Sequence, residues 1–263
     1  MQLPTHRFSP DSSIWRVTSE LVILLGGPLA AVLQAAHPEV AVAVTHHSRF
    51  KTDPTGRLHR TLEAVYTLVF GTKEDAEKMV ADIGELHRPV HGKDPIPYNA
   101  FSQDALMWVT ATLIISAFDS YERFCQPLTE AGKTEHYKDM HRFGECFGLK
   151  ADYGPQDWRS FREYFVDMLR GDYLGSRPEC AEVAKYILKN PKTPLHNQLN
   201  FLATENIPEP LLSRMKLHRS PLGAFKIKTL ECILPGLIPL LPGILRHPRQ
   251  YLAAERRLKK WRQ

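Results

Sequence analysis

Cysteine is scarce in this chain of 263 residues, and its four cysteines are far apart. They form neither a CxxC pair nor a cluster with histidine, which are the arrangements that hold structural zinc. The sequence therefore excludes a zinc-stabilised module. It favours buried thiols in a reducing compartment, so we expect a cytoplasmic protein. The four positions are Cys125, Cys146, Cys180 and Cys232.

Several short motifs that mark common enzyme classes are also missing. The chain has no GxGxxG sequence and no P-loop, so nucleotide binding has no support from the sequence. It has no HExxH and no GxSxG either. These absences remove the usual metalloprotease and serine-hydrolase interpretations.

Neither of the two long apolar runs is typical of a membrane span. The run at 21–36 begins late for a secretory signal, is shorter than the roughly 20 residues of a span, and contains Gly26, Gly27 and Pro28. We expect a buried helix there. The run at 230–245 is broken by three prolines and cannot form one regular helix across a bilayer. A place in a membrane interface, or over a hydrophobic cavity, suits it better.

The sequence shows no alternating runs around a hairpin turn, whereas helical periodicity dominates it. We predict one all-α globular domain of many helices. Gly71 and Thr72 mark the boundary between two helices, and Ser176 with Glu179 predicts a capping box at the start of another. Helices are predicted at about 57–70, 73–90, 103–126, 134–147, 156–170, 177–189, 208–217 and 249–261.

The composition, 43% hydrophobic and 24% charged, provides enough apolar material for a core that encloses a ligand. We expect an N-terminal extension at 1–19, a helical domain at 20–220 and a C-terminal segment at 221–263. Positive charge concentrates at the end, because residues 246–263 hold seven Lys and Arg against one Glu. This tail suits a solvated helix or contact with an anionic membrane surface, and we expect no nucleic-acid partner.

Among twelve histidines, His87 falls on the apolar face of the predicted helix 73–90. A neutral imidazole in such a place can ligate iron through one nitrogen while the other donates a hydrogen bond that fixes the ring. The residues alone leave this open, because a structural histidine with satisfied hydrogen bonds is the commoner case. The remaining residues of that face are Met79, Val80, Ile83, Leu86 and Val90.

Arg57 and Thr61 are four residues apart, hence on one face of the predicted helix 57–70, with Arg60 between them. An arginine held beside a core needs an anion. A cofactor carboxylate would serve, and Thr61 could donate a hydrogen bond to it or to bound oxygen. The commoner arrangement is an arginine paired with a neighbouring Asp or Glu.

A series of short motifs runs in order through the first two thirds of the chain. Together they resemble the fungal and bacterial oxygenases related to the mycophenolic acid side-chain-cleaving oxygenase and to the catalytic domain of rubber oxygenase, also called latex clearing protein. The likeness covers roughly residues 20–170. Its pieces are GGPLAAVLQAAHPEVAVAVTHHSRF at 26–50, DPTGRLHRT at 53–61, VFG at 69–71, HRPVHG at 87–92, YNAF at 98–101, DALMWVTAT at 104–112 and the stretch at 121–128.

The resemblance implies an all-α fold that encloses a haem b pocket (iron protoporphyrin IX), with an imidazole as the axial iron ligand. His87 fits the family's His-x-x-Val-x-Gly pattern, whereas its rival, His91, stands at a variable position. The resemblance therefore implies His87 as the metal ligand. His37 and His47 also match family positions, either on the distal side of the haem or as residues that hold the fold.

The resemblance also implies roles near the haem. The family's Arg, basic residue and Thr match Arg57, Arg60 and Thr61, which we expect to be catalytic, with Arg57 and Thr61 also contacting the cofactor. Rubber oxygenase has Lys at the position of Arg60, and this exchange matters because Arg stays charged. The rubber enzyme's glutamate base has no clear match, since Glu39 lies off the expected spacing. Trp108 is expected to line the cofactor pocket.

The resulting hypothesis is a haem-dependent oxygenase that uses dioxygen on a hydrophobic small molecule, for example to cleave a carbon–carbon double bond of an isoprenoid or lipid-like substrate. Tyr98 and Phe101 are expected pocket walls. The alternative is a non-catalytic helical protein that binds lipid or haem and associates with membranes through residues 230–263. Oxygen consumption with an unsaturated lipid separates the two.

Overall fold

The computed structural model describes residues 6–48, 51–189 and 199–262 and confirms the all-α prediction. Two 3₁₀ helices, Leu21–Gly26 and Ile238–Leu240, accompany the α-helices. The α-helices are α1 (Ser13–Thr18), α2 (Gly27–Ala36), α3 (Pro38–His47), α4 (Pro54–Phe70), α5 (Lys73–His87), α6 (Gln103–Phe124), α7 (Glu130–Glu145), α8 (Trp158–Arg170), α9 (Pro178–Leu188), α10 (Phe201–Thr204), α11 (Glu209–Arg214), α12 (Gly223–Leu237), α13 (Gly243–Arg246) and α14 (Arg249–Arg262).

Two helices begin earlier than their apolar periodicity predicts, because a capping residue stands further upstream. Helix α4 begins at Pro54, where the Asp53 carboxylate accepts a hydrogen bond from the Gly56 N–H at 3.0 Å. Proline suits this first helical position since its missing N–H would have no partner there. Helix α7 begins before residue 134 because the Thr129 hydroxyl accepts from the Gly132 N–H at 3.0 Å.

The predicted capping box at Ser176 is wrong. Helix α9 begins at Pro178, with Arg177 as its N-cap and no hydrogen bond from that side chain to the helix. The proline fixes the start of the helix two residues beyond Ser176, out of reach of the proposed cap. Glu179 instead accepts a hydrogen bond from Arg177 Nε at 3.1 Å.

The prediction that the chain holds no hairpin is also wrong. Two short strands, β1 (His91–Gly92) and β2 (Tyr98–Asn99), pair antiparallel, with His91 opposite Asn99 and Gly92 opposite Tyr98. Strands of two residues are too short to produce an alternating pattern. The connecting loop contains a cis peptide bond between Asp94 and Pro95.

The main core forms around α6, against which α2 and the first 3₁₀ helix pack. The first 3₁₀ helix and α6 come close together at Gly26, where an added Cβ would stand 2.4 Å from the Ser116 carbonyl oxygen. The apolar run at 21–36 is therefore mostly buried, as predicted, but as a 3₁₀ helix followed by α2.

No single helix of the described residues is long and apolar enough to cross a membrane. The consecutive segments 21–36 and 38–47 reach the required length and apolarity only together, and they are bent by 99°.

Both terminal segments contribute to this core. Trp15 of α1 packs edge-on against Phe70, with ring centroids 4.9 Å apart. Arg246 binds the buried carboxylate of Glu20 through two nitrogens, at 2.6 and 2.8 Å. Arg257 of α14 donates to the Phe70 carbonyl at 2.6 Å. Extension, helical domain and C-terminal segment are thus connected, and their boundaries stay a prediction.

Candidate functional site

His87 is the last residue of α5, and local sequence determines both ends of this helix. At the start, the Thr72 hydroxyl accepts from the Asp75 N–H at 3.2 Å, and the Asp75 carboxylate accepts from the Thr72 N–H at 3.1 Å. This is a complete capping box. At the other end, Pro89 has no N–H to continue the helix. Helix α5 therefore ends at His87, three residues before the predicted end at 90.

The imidazole of His87 is exposed, and the apolar face of α5 around it is only partly covered. Of the whole helix only Ala76 is buried, and Leu86, next to His87, is 69% exposed. The neighbouring protein still lowers the pKa of His87 by desolvating the charged form, and the positive charge of Arg57 lowers it further. The ring is therefore neutral near pH 7, with a lone pair free to bind a metal.

Arg57 lies near His87 because α4 and α5 are consecutive helices joined by a short turn, so the start of α4 returns to the end of α5. Its Nη1 donates to the Ser48 hydroxyl at 2.7 Å. Among the described residues no carboxylate forms an ion pair with it. Burial lowers the pKa of Arg57, and the charge of Arg60 lowers it further. Arg57 is thus a desolvated cation with a neutral partner.

Arg60 and Thr61 are placed differently from Arg57. Arg60 is exposed and its Nη1 forms an ion pair with Asp53 at 3.0 Å, which is the common arrangement that the sequence left open. The Thr61 hydroxyl is exposed and donates to the Arg57 carbonyl at 3.0 Å. Both side chains stand on the same exposed start of α4. Their catalytic roles stay predictions.

The hairpin after His87 joins this region to the end of α3. The buried Tyr98 brings its hydroxyl to 2.9 Å from His47 Nε2 and 3.3 Å from His46 Nδ1. A Cβ on Gly92 would stand 2.6 Å from the Tyr98 ring, so only glycine fits there. Ser48, the partner of Arg57, follows His47 directly. The end of α3, the start of α4, the end of α5 and the hairpin therefore meet in one place.

Sequence reasoning missed Ser48, because its partner stands nine residues further on and no local pattern joins them. Residues 49 and 50, which end the first family motif, lie outside the described residues. His91, the rival of His87, stands exposed on β1 and pairs in register with Asn99.

A second polar group surrounds His37, which directly precedes α3 and is fully buried. Burial lowers the pKa of His37 to about 4, against the opposing charge of Asp104. Neither ring nitrogen has a hydrogen-bond partner in the described part of the chain. Burial also raises the pKa of Glu39, against a hydrogen bond with Ser102. The sequence did not single out Asp104, which acts on both groups.

The residues expected to line the pocket lie in different parts of the structure. Trp108 is fully buried in the main core, where its Nε1 donates to the Leu33 carbonyl at 2.7 Å and its ring stacks on Phe165. Tyr98 contacts the histidines of α3, and Phe101 is 40% exposed. The role of Trp108 as a cofactor contact stays a prediction.

Two surface clefts, of about 390 and 550 Å³, lie away from His87. The first is bordered by α4, α5 and α14, with Arg257 in its wall. The second lies between the N-terminal segment and α7, next to Asp139. Neither is lined by His87 or Arg57. No group of three or more His, Cys, Asp or Glu in the described ranges is arranged to hold a metal ion.

Comparison with known proteins gives one family and two relatives. The profile of a family described as "ER-bound oxygenase mpaB/B'/Rubber oxygenase, catalytic domain" matches residues 15–230. Uncharacterized proteins of Mycobacterium bovis and Mycobacterium tuberculosis are each 28% identical over 120 residues. That stretch is 45% of this chain and 47% of theirs, so the match spans about half the length of these relatives. No solved structure matches the chain significantly.

Proposed function

The chain belongs to the family of the ER-bound oxygenase mpaB/B' and the rubber oxygenase catalytic domain, and on this premise we propose that it is a haem b-dependent oxygenase in which His87 would bind the iron. The family supports an oxidoreductase that uses dioxygen and an organic substrate. The proposal adds three points to what the family supports, namely the haem, the residue that binds its iron and the class of substrate.

The observation that carries the proposal is the combination of His87 and Arg57 on one partly apolar surface. A haem needs an imidazole for its iron, a cation for its propionates and an apolar surface for its ring. His87 offers a neutral imidazole, and Arg57 offers a desolvated guanidinium that forms no ion pair with a carboxylate of the described residues. The exposed side chains of Leu58 and Leu86 offer the apolar surface. The residues present therefore fit the group.

When bound, the haem supplies the redox chemistry that activates dioxygen. The protein residues have separate roles. Arg57 would bind a carboxylate, and the Ser48 hydroxyl holds its guanidinium in place. Thr61 presents a hydroxyl on the same face of α4 and could orient a polar group. Arg60 holds a fixed charge paired with Asp53, so it cannot move a proton as a lysine could.

We further propose that the substrate is hydrophobic and that the reaction cleaves a carbon–carbon double bond in an isoprenoid or lipid-like molecule. The support is the exposed apolar side chain of Leu86, beside His87 on α5, and that of Leu58, beside Arg57 on α4, which are 69% and 50% exposed. A hydrophobic ligand bound at this site could cover both side chains.

The proposal predicts that freshly purified protein carries haem and that His87→Ala removes it, because that variant lacks the imidazole that would bind the iron. The matched control is His91→Ala, which changes the other histidine of the same motif and should keep its haem. The measurement is the Soret absorption together with the haem content per chain. A protein without Soret absorption, or a His87→Ala variant with full haem content, contradicts the proposal.

Turnover separates the oxygenase from the non-catalytic alternative. The haem-loaded protein should consume dioxygen when an unsaturated isoprenoid is added, and should not when its saturated analogue is added. Haem binding without oxygen consumption for any isoprenoid or unsaturated lipid would favour a binding protein.

A further inference from the structure

Helix α12 carries apolar residues on two adjacent sides. One side packs inward, where Ile227, Leu230 and Leu234 join a small cluster with Phe124 and Phe201. The neighbouring side carries large apolar residues that are exposed. Exposed apolar residues gathered on one side of a helix are typical of a surface that another molecule covers.

The exposed apolar residues continue beyond the end of α12. Pro235, Pro239 and Pro242 bend the chain through the second 3₁₀ helix into α13, so the segment forms no regular membrane-spanning helix, as predicted. Seven of the thirteen large exposed hydrophobic residues of the described chain fall in this one stretch, which marks it as a continuous surface feature. We call it the apolar strip: Leu222, Phe225, Ile233, Leu237, Leu240, Ile244 and Leu245.

Along the chain, the charges within and beside the apolar strip are almost all positive. Lys226 and Lys228 are both exposed on α12. By helical spacing Lys226 stands among the strip residues, with its ammonium 5.4 Å from the centroid of the Phe201 ring, and Lys228 lies just outside the strip. From residue 210 to residue 254 the only acidic residue is Glu231. It is partly buried and lies 3.6 Å from Arg123, so it does not offset the lysines at the surface. Helix α14, which packs against α13, has further exposed cations among its described side chains, at 249, 256, 259 and 260.

We propose that the apolar strip docks the protein on an anionic lipid membrane, with Leu240 and Ile244 inserted at the interface and the lysines beside lipid headgroups. Exposed apolar side chains with cations among and beside them are the features that hold a helix in a membrane interface. Anionic lipids at the membrane surface attract such cations.

A second copy of the chain is a less suitable occupant of the apolar strip. In a symmetric dimer each strip would face the same surface of its partner, so Lys226 and Lys228 would approach other cations. No surface carboxylate of the strip is available to pair with them, because Glu231 contacts Arg123. An anionic membrane satisfies the apolar residues and the lysines together.

The test is co-sedimentation of the full chain with two kinds of vesicle, one of phosphatidylcholine alone and one that also contains phosphatidylserine. The native protein should bind the anionic vesicles more tightly. The double variant Leu240→Glu/Ile244→Glu should weaken that binding about tenfold or more, because two inserted side chains become charged. The variant Lys226→Glu/Lys228→Glu should remove the preference for phosphatidylserine.

The matched control is Val166→Glu, which places the same charge at a residue of α8 that is 40% exposed and lies outside the strip. This variant should bind vesicles as the native protein does. Circular dichroism should show the same melting for all variants, since every changed side chain is exposed. Native protein that ignores both vesicles overturns the proposal. So does a dimer, seen by light scattering, that the Leu240→Glu/Ile244→Glu variant dissociates while vesicle binding is absent.

Discussion

The guanidinium of Arg57 is partly buried, and its described contacts do not neutralise its charge. Among the described residues its side-chain hydrogen bond is to the Ser48 hydroxyl, and burial and the positive charge of Arg60 both lower its pKa. A cation in this position costs stability until an anion binds. The arrangement is typical of a binding site, where stability is lower so that a ligand can be held.

We predict that Arg57→Met makes the haem-free protein at least as stable as the native one, because it removes a desolvated charge and keeps a side chain of similar length. The same change should weaken haem binding by about tenfold, the usual cost of losing a charged hydrogen bond to a carboxylate. The measurements are urea unfolding of the haem-free protein and haem titration of both proteins.

The control is Arg60→Met, which removes an exposed ion pair with Asp53. Such pairs contribute roughly 0–1 kcal/mol, so stability should change little, and haem affinity should stay within about threefold. If Arg57→Met lowers stability and leaves haem affinity unchanged, Arg57 is a structural residue.

The position of His87 depends on a single helix, α5, whose start was predicted and whose end was predicted three residues too late. Thr72 was expected as the cap, and the structure confirms it as part of a capping box with Asp75. The end of the helix at His87 follows from Pro89. Position 92 requires glycine for a reason that only the structure reveals. The Tyr98 ring occupies the space that a Cβ there would need.

We predict that Thr72→Ala lowers the free energy of unfolding by about 1 kcal/mol, since an N-cap hydroxyl that binds a backbone N–H has this typical effect. The control is Thr134→Ala within α7, where the hydroxyl only donates to a carbonyl of its own helix. That change should be within about 0.5 kcal/mol of native. Urea unfolding measures both. Equal effects of the two changes would show that the cap is not what stabilises α5.

Acid sensitivity is a property of the whole molecule, because buried histidines lie in separate parts of the core. Burial lowers the pKa of both His37 and His136 to about 4, with Asp104 opposing the shift at His37. In the unfolded chain each would titrate near about 6.5. Between these values the unfolded chain binds protons that the folded chain does not, so the free energy of unfolding falls as pH falls.

We predict that the loss for each of these histidines is about 2 kcal/mol between about pH 7 and pH 5. His136→Leu should reduce the pH-dependent loss by about that amount, because the apolar side chain binds no proton beside Phe118. The exposed His59 provides the control, and His59→Leu should leave the pH dependence unchanged. Urea unfolding at the two pH values gives the result. An unchanged slope for His136→Leu contradicts the assignment.

The sequence by itself determined most of the helices of ten residues or more, since helical periodicity, caps and prolines act within a few residues of one another. It did not predict α3 or α12, and Pro235 lies inside α12. The sequence also determined the family, because ordered motifs need no coordinates. The predicted absence of a hairpin failed because strands of two residues carry no period, and the predicted cap at Ser176 failed because Pro178 defined the start.

The tertiary structure decided which polar groups of the site are paired. Arg57 and Arg60 are alike in sequence, yet Arg60 pairs with Asp53, the N-cap of its own helix, whereas the approach of α3 gives Arg57 the Ser48 hydroxyl as its side-chain partner among the described residues. Periodicity placed His87 on an apolar face, but the fold leaves that face uncovered, so the imidazole is exposed beside Leu86. Burial and pairing depend on segments distant in sequence, which is why the residues of α4 and α5 alone could not determine them.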